Sequence, residues 1–154
     1  MTTGHCLCTA VRFSLKVEPR FFYRCHCSLC RLQTGVGHNL ATLVRAEDFQ
    51  WQQGHELIRS WQKPSGYRND FCGQCGSTVP NPLRESPYVW VPLGLLVSAL
   101  EMSCIGDFCS ADAMPWDEHR CAHSFGGATP SLEFLLDRLQ VNQGAIAFEQ
   151  QDAS

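Results

Sequence analysis

About the first two-thirds of the chain carries the short alternation of hydrophobic and polar residues that is typical of β-strands. The clearest example is residues 11–17, where hydrophobic side chains at positions 11, 13, 15 and 17 alternate with Arg, Ser and Lys. This period indicates a strand with one buried face. Similar patterns between turn signals predict further strands at residues 21–24, 38–44, 57–61, 67–71 and 88–91.

Two helical segments are predicted among these strands and after them. Residues 28–34 favour a short helical turn that ends at Gly35. A second helix is predicted after Thr129, which is a suitable N-cap, with Pro130 at the first helical position. Leucines at 132, 135, 136 and 139 follow with the spacing of one helical face, as in an ordinary packing helix. The fold is therefore expected to be mainly β with short helical pieces.

Length and charge limit the classes of function. The 154 residues predict a single domain over residues 1–154, of which about 145–154 form a polar tail. The net charge of −3 and the lack of a basic block argue against nucleic-acid or membrane binding by charge. The longest apolar stretch, residues 88–100, is too short to span a bilayer. The oligomeric state is left open.

Cysteine is the residue type that adds chemistry to this picture. The chain has ten cysteines, and its first residues lack the basic and apolar regions of a signal peptide. We therefore expect a cytoplasmic protein, in which clustered cysteines bind metal more often than they form structural disulfides.

Seven of the cysteines fall into three clusters, namely a C-x-C, a C-x-C-x-x-C and a C-x-x-C: Cys6, Cys8, Cys25, Cys27, Cys30, Cys72 and Cys75. Four thiolates close a tetrahedral zinc site, whereas three leave one position open for water or substrate. Joining the C-x-C with the C-x-x-C is the economical arrangement, because the remaining cluster then holds its own ion. The spacing alone does not establish which clusters share an ion.

The residues in and around each cluster indicate how it could be built. Cys6 and Cys8 would point to one side of an extended chain. The C-x-x-C of residues 72–75, flanked by Gly73 and Gly76, resembles a zinc knuckle, and a redox motif would need a βαβ setting that is not seen. His26 lies between two cysteines and is interpreted as a packing or supporting residue.

Three cysteines lie outside these clusters: Cys104, Cys109 and Cys121. Buried free cysteine is a common and inert core residue, and this is the preferred interpretation of all three. The possibility that one of them completes the three-cysteine site is left open.

The motifs in residues 4–13, 25–31 and 71–77, with a later Ala-Met-Pro-Trp at 113–116, resemble the glutathione-dependent formaldehyde-activating enzyme family, whose relatives include centromere protein V. The resemblance implies a β-tent of small antiparallel sheets pinned by zinc. It also implies a structural zinc held by Cys6, Cys8, Cys72 and Cys75. A second zinc, catalytic and labile, would be held by Cys25, Cys27 and Cys30.

The resemblance further implies a carbon–sulfur lyase that forms S-hydroxymethylglutathione reversibly from glutathione and formaldehyde. The predicted partners are therefore a glutathione-like thiol and a small aldehyde. Candidate residues around the site are Arg31, which could bind an anionic substrate, and His38, which could act as an acid or base. Trp116 could line the pocket. Each of the three also has an ordinary structural interpretation. A non-catalytic binding module stabilised by zinc and a thiol or metal sensor are the alternative functions.

Overall fold

The computed structural model of the protein describes residues 1–118 and 123–142. Cys121 and the predicted tail at 145–154 lie outside these residues. The chain forms two compact units, the first from Met1–Glu18 with Thr42–Leu100 and the second from Pro19–Ala41 with the described residues after position 100. The single-domain organisation stays a prediction.

The described residues form twelve strands and two α-helices. The strands are β1 (Thr2–His5), β2 (Arg12–Leu15), β3 (Phe21–Cys25), β4 (Asn39–Arg45), β5 (Phe49–Gln53), β6 (Ile58–Gln62), β7 (Arg68–Cys72), β8 (Thr78–Val79), β9 (Asn81–Pro82), β10 (Tyr88–Pro92), β11 (Ser103–Phe108) and β12 (Ser124–Phe125). The helices are α1 (Ser28–Thr34) and α2 (Leu132–Arg138). The prediction of a mainly β fold with small antiparallel sheets is confirmed.

The first unit contains two small antiparallel sheets, with strand orders β1-β2-β5 and β6-β7-β8. Its largest core cluster is built from the hydrophobic positions that sequence patterning identified on β2, together with residues of β4 and β10: Phe13, Leu15, Val44, Val89 and Val91. Ser14, expected on the polar face of β2, is also buried, and its hydroxyl accepts a hydrogen bond from Gln52 Nε2 at 2.7 Å. A satisfied hydroxyl can be buried at little cost.

A second cluster of the first unit surrounds a cysteine pair and consists of Cys6, Val11, Cys72 and Val79. It joins the end of β1 to the end of β7. Burial of these small apolar side chains supports the turns that follow both strands.

In the second unit, strands lie in the order β12-β11-β3, followed by the beginning of β4. β4 runs antiparallel to β3 and places Asn39 opposite Cys25. β11 runs parallel to both β3 and β12, with Phe108 opposite Cys25. This parallel pairing brings the end of β11 beside Cys25, where the C-x-C-x-x-C segment begins.

The first predicted helix is α1, which ends at Gly35 with a left-handed φ of 71°. The second is α2, but its N-cap is Ser131 rather than Thr129. Ser131 Oγ accepts a hydrogen bond from Phe134 N–H at 3.2 Å, while Thr129 Oγ1 lies 3.6 Å from Cys109 Sγ. The predicted cap was wrong because Thr129 has this tertiary contact and Ser131 satisfies the first helical turn.

Neither α-helix in the described part of the chain is long and apolar enough to cross a membrane.

Candidate metal centres and functional site

Four cysteines of the first unit converge on one point: Cys6, Cys8, Cys72 and Cys75. Their sulfurs all lie within 4.8 Å of one another. The Sγ atom of Cys8 is 3.5 Å from that of Cys6 and 3.9 Å from that of Cys72. The cysteines are free thiols, so the structure joins the C-x-C and the C-x-x-C without a disulfide.

The C-x-C lies in a turn and not on the extended segment that was expected. Thr9 N–H donates to Cys6 O at 2.9 Å, and Thr9 adopts a left-handed φ of 62°. Cys6 N–H in turn bonds Val11 O at 3.1 Å. The extended interpretation was wrong because the chain reverses here between β1 and β2, yet the turn also brings both sulfurs together.

The C-x-x-C forms the second turn of this centre. Gly76 N–H donates to Cys72 O at 2.8 Å, and Gly76 has a φ of +75°, which glycine adopts without strain. Gly73 contributes differently, because a Cβ at this position would lie 2.9 Å from Leu57 O. One glycine therefore provides the turn conformation and the other allows close backbone approach.

Hydrogen bonds support the negative charge that such a sulfur cluster would carry. Val11 N–H donates to Cys6 Sγ at 3.3 Å. A side-chain hydrogen bond with Ser77 and backbone hydrogen bonds from Ser77 and Cys8 lower the pKa of Cys75 to about 5. Donors of this kind are what a thiolate needs when it is removed from water.

Three cysteines of the second unit form a separate cluster: Cys25, Cys27 and Cys30. Cys25 ends β3, Cys27 is the N-cap of α1, and Cys30 lies in the first turn of that helix. Cys27 Sγ accepts a hydrogen bond from Cys30 N–H at 3.4 Å. The sulfurs lie within 4.8 Å of one another, because the strand end and the helical turn bend one short segment around them.

The three thiols divide into one acidic and two weakly acidic groups. Side-chain hydrogen bonds from Cys25 and Cys30 lower the pKa of Cys27 to about 2. The same contact with Cys27 raises the pKa of Cys25 to about 12, and hydrogen bonds with Cys25 and Cys27 raise the pKa of Cys30 as well. Cys27 is half-buried, whereas Cys25 and Cys30 are buried.

Asn39 is a site residue that the sequence did not reveal. Its side-chain amide donates to Cys30 Sγ at 3.0 Å, and the residue is 7% exposed. Its Oδ1 atom is buried with no hydrogen-bond partner among the described residues. Position 39 was predicted to lie on a strand, but its contact with Cys30 depends on the pairing of β4 with β3.

The other polar candidates take up different positions. Arg31 follows the last cysteine, and its Nε is buried without a hydrogen-bond partner in the described part of the chain. Trp116 is 62% exposed and is therefore not a core residue. The interpretation of Cys104 as a buried free cysteine was wrong, because Cys104 is half-buried and disulfide-bonded, whereas Cys109 is a buried free cysteine beside Thr129. Neither belongs to a described metal-binding cluster.

His26 and His38 belong to a third group of side chains, with Asp107 and Asp117. His26 is fully buried; its Nδ1 is 2.5 Å from Asp117 Oδ2 and its Nε2 is 2.8 Å from Asp107 Oδ1. His38 Nδ1 lies 2.9 Å from Asp117 Oδ1. Hydrogen bonds from His26 and His38 lower the pKa of Asp117, against the effect of burial, which is the largest and raises it.

The donor sets of the two cysteine clusters fit zinc. Thiolates are preferred ligands of Zn²⁺, four of them complete a tetrahedral structural site, and three leave one coordination position open. The four-sulfur cluster offers a complete ligand set, with Cys6 and Cys72 buried and Cys8 exposed, whereas the three-sulfur cluster offers one ligand fewer than a closed site needs and keeps Cys27 half-buried. The second cluster is thus better suited to receive a substrate.

Comparisons with known proteins identify a family for this chain. The model of the glutathione-dependent formaldehyde-activating enzyme family matches residues 1–108. Among solved structures, the chain is similar to a Rhodobacter sphaeroides protein, with a TM-score of 0.50 and 25% identity over 62% of this chain and 88% of that one. No curated protein matches the sequence.

Proposed function

Because the chain belongs to the glutathione-dependent formaldehyde-activating enzyme family, we propose that it adds a glutathione-like thiol to formaldehyde or a related small aldehyde, as a zinc-dependent carbon–sulfur lyase. The observation that carries the proposal is the cluster of three free cysteines in one short segment, with one half-buried sulfur. A three-thiolate site with an open position is the arrangement expected of catalytic zinc.

The proposed ligands divide by role. Cys25, Cys27 and Cys30 would hold the zinc that takes part in the reaction. Cys6, Cys8, Cys72 and Cys75 would hold a second zinc that stabilises the fold. When bound at the three-cysteine site, zinc would supply the Lewis acidity that keeps a coordinating thiol deprotonated near neutral pH.

The protein side chains around this site would organise the thiol substrate. Asn39 would hold Cys30 in place through its hydrogen bond to Sγ. The guanidinium group of Arg31, which follows the last cysteine, would bind a carboxylate of glutathione, since this group is well suited to bind carboxylates. These contacts would bring the sulfur of the substrate to the side of the cluster where Cys27 is half-buried.

The bond changes are those of hemithioacetal formation. The substrate thiolate attacks the aldehyde carbon, so a carbon–sulfur bond forms while the carbonyl π electrons move to oxygen. The resulting alkoxide takes up one proton and yields the hydroxymethyl thioether. The reverse reaction removes that proton and releases aldehyde and thiolate, as expected of a lyase.

A titration of zinc-loaded protein with glutathione and formaldehyde tests the proposal. We expect faster consumption of formaldehyde than in buffer with glutathione alone, and a change in the zinc content of the three-cysteine site when glutathione is added. The Cys27→Ser variant is the matched control and should lack both effects. Two inert ions with no acceleration would favour a zinc-stabilised binding module, and paired disulfides without metal would favour a redox or metal sensor.

A further inference from the structure

A group of nitrogen and oxygen donors in the second unit is used by neither cysteine cluster. His26 Nδ1 and His38 Nδ1 face the two different oxygens of the Asp117 carboxylate, at 2.5 and 2.9 Å. The candidate donor atoms of the three residues lie within 4.8 Å of one another. Two imidazoles and one carboxylate are a common ligand set for divalent transition metals.

The second nitrogen of His26 strengthens this interpretation. Nε2 lies 2.8 Å from Asp107 Oδ1, and Asp107 is fully buried with Arg24 Nε 3.8 Å from the same oxygen. A carboxylate that accepts Nε2–H fixes the imidazole tautomer and leaves the lone pair on Nδ1. This is the outer support that metal-binding histidines usually have.

With that tautomer, the lone pair of His26 Nδ1 faces a carboxylate oxygen of Asp117. Two lone pairs repel at 2.5 Å unless a proton or a metal cation lies between them. The carboxylates of Asp107 and Asp117 are both buried, and the Arg24 Nε atom lies 3.8 Å from Asp107 Oδ1, so two acidic side chains face the two imidazoles away from bulk water. The group therefore attracts a cation.

The spacing is close to that of a coordinated ion. Metal–ligand bonds of about 2.0–2.2 Å in a tetrahedron separate the ligand atoms by about 3.3 Å, so the present distances of 2.5 and 2.9 Å would open by less than about 1 Å. Gly37 helps to position the carboxylate, because a Cβ at Gly37 would lie 2.6 Å from Asp117 Oδ2. The absence of a side chain there lets Asp117 approach both histidines.

We propose that His26, His38 and Asp117 form a third metal site, which binds a divalent first-row transition ion through nitrogen and oxygen ligands. His26 is fully buried, whereas the His38 side chain is 25% exposed, so the ion enters and takes its remaining ligand from the His38 side. The site is chemically different from the two thiol clusters and does not depend on the aldehyde reaction proposed above.

Cobalt titration of protein whose cysteine sites are filled with zinc distinguishes this site from the others. Co²⁺ bound to thiolates gives intense charge-transfer absorption in the near ultraviolet, whereas Co²⁺ on nitrogen and oxygen gives only weak visible bands. We expect one equivalent of Co²⁺ to bind with weak visible bands, without thiolate charge transfer and without release of zinc. His38→Gln and Asp117→Asn should each weaken this binding at least about 10-fold.

Gly37→Ala provides a variant that keeps every ligand. Its new methyl group would push Asp117 away from the histidines, so the zinc-filled protein should bind Co²⁺ at least about 10-fold more weakly. Gly94→Ala is the matched control, because a Cβ at Gly94 has no atom within 4 Å, and it should bind Co²⁺ like the unchanged protein.

The proposal is overturned if the zinc-filled protein binds no Co²⁺, if Co²⁺ binds only by displacing zinc from thiolates, or if the three variants bind it as well as the unchanged protein does. In the first case the histidines and aspartates are held together by hydrogen bonds alone.

Circular dichroism and zinc content report folding of each variant. If Asp117→Asn does not fold, His38→Gln and Gly37→Ala decide the question, since the first alters a partly exposed side chain and the second removes no ligand. Formaldehyde consumption is not part of this measurement, so the outcome is independent of the proposed reaction.

Discussion

The two cysteine clusters use the same donor atom but are assembled in opposite ways. The four-cysteine cluster joins two turns whose cysteines Cys8 and Cys72 are 64 positions apart in the chain. The three-cysteine cluster comes from one strand end and the helical turn after it. Closing a long loop restricts the unfolded chain far more than closing a short one. A metal at the first cluster should therefore stabilise the fold, whereas one at the second can be exchanged with little structural cost.

The strongest test of this difference is Cys72→Ser. Cys72 is fully buried in the cluster that joins β1 to β7. Since zinc binding at a structural site is folding free energy, of about 10–16 kcal/mol in small zinc peptides, we expect a loss of at least about 5 kcal/mol or failure to fold. Urea unfolding followed by circular dichroism, with zinc counted by native mass spectrometry, measures the effect.

Cys109→Ser is the control for that variant, because Cys109 is also a buried free cysteine but lies beside the Thr129 hydroxyl outside both clusters. It should cost only about 1 kcal/mol and keep the full zinc content. A soluble Cys72→Ser protein with an unchanged unfolding midpoint and one zinc fewer would contradict the structural role.

The second test is Cys27→Ser, which removes the half-buried sulfur of the local cluster. We expect loss of one zinc and a decrease in formaldehyde consumption of at least about 100-fold. Removing a proposed metal ligand should cost at least as much activity as removing a residue that only supports a ligand. The free energy of unfolding should fall by less than about 2 kcal/mol, because no long loop is released.

Cys8→Ser is the matched comparison, since Cys8 is also an accessible sulfur but belongs to the long-range cluster. It should lower the unfolding midpoint clearly more than Cys27→Ser does. Equal destabilisation by the two variants would show that both clusters support the fold.

The third test concerns Asn39, whose amide donates to Cys30 Sγ. Asn39→Asp replaces the donor with a carboxylate that repels the sulfur, so zinc affinity at this cluster or activity should fall about 10- to 100-fold. Zinc competition with a chromogenic chelator measures the affinity.

Asn81→Asp is the control for the Asn39 variant. Asn81 is similarly buried and also has an unpartnered Oδ1, but its amide donates to Pro82 O. It should lower stability and leave the affinity of the three-cysteine cluster unchanged. A similar loss of zinc affinity in both variants would assign the effect to general destabilisation.

The smallest expected effect belongs to Ser77→Ala. Ser77 Oγ accepts a hydrogen bond from Leu7 N–H at 3.0 Å and lies 3.4 Å from Cys75 Sγ, so it ties the two turns of the four-cysteine cluster together. Its loss should cost about 1 kcal/mol with both zinc ions retained. Ser65→Ala, at an exposed turn, should change stability by less than about 0.5 kcal/mol. A Ser77→Ala protein as stable as the Ser65→Ala protein would remove this side chain from the supporting contacts.

Local sequence was enough to predict the features that depend on near neighbours. The alternation on β2, the glycine that ends α1 and the grouping of the cysteines all follow from spacing. β5 was missed even though Phe49 and Trp51 alternate with glutamines, while β1 is short and mostly polar. The ligand roles of the seven cysteines remain predictions.

Features that depend on pairing between distant segments could not be obtained in this way. The parallel pairing of β11 with β3 brings Asp107 close to His26, and the register of β4 places Asn39 near Cys30. Neither Asp117 nor Asn39 has a local signal that distinguishes it from a surface residue. Strand registry between remote parts of the chain is set by the whole core rather than by any one segment.

His26 lies between two clustered cysteines and contacts different partners from theirs. The sulfurs of Cys25 and Cys27 cluster with that of Cys30, while the His26 imidazole between them lies within hydrogen-bonding distance of Asp107 and Asp117. An insertion or deletion of one residue here would turn the imidazole toward the thiols and a thiol toward the carboxylates. The length of this segment is therefore as tightly constrained as its composition.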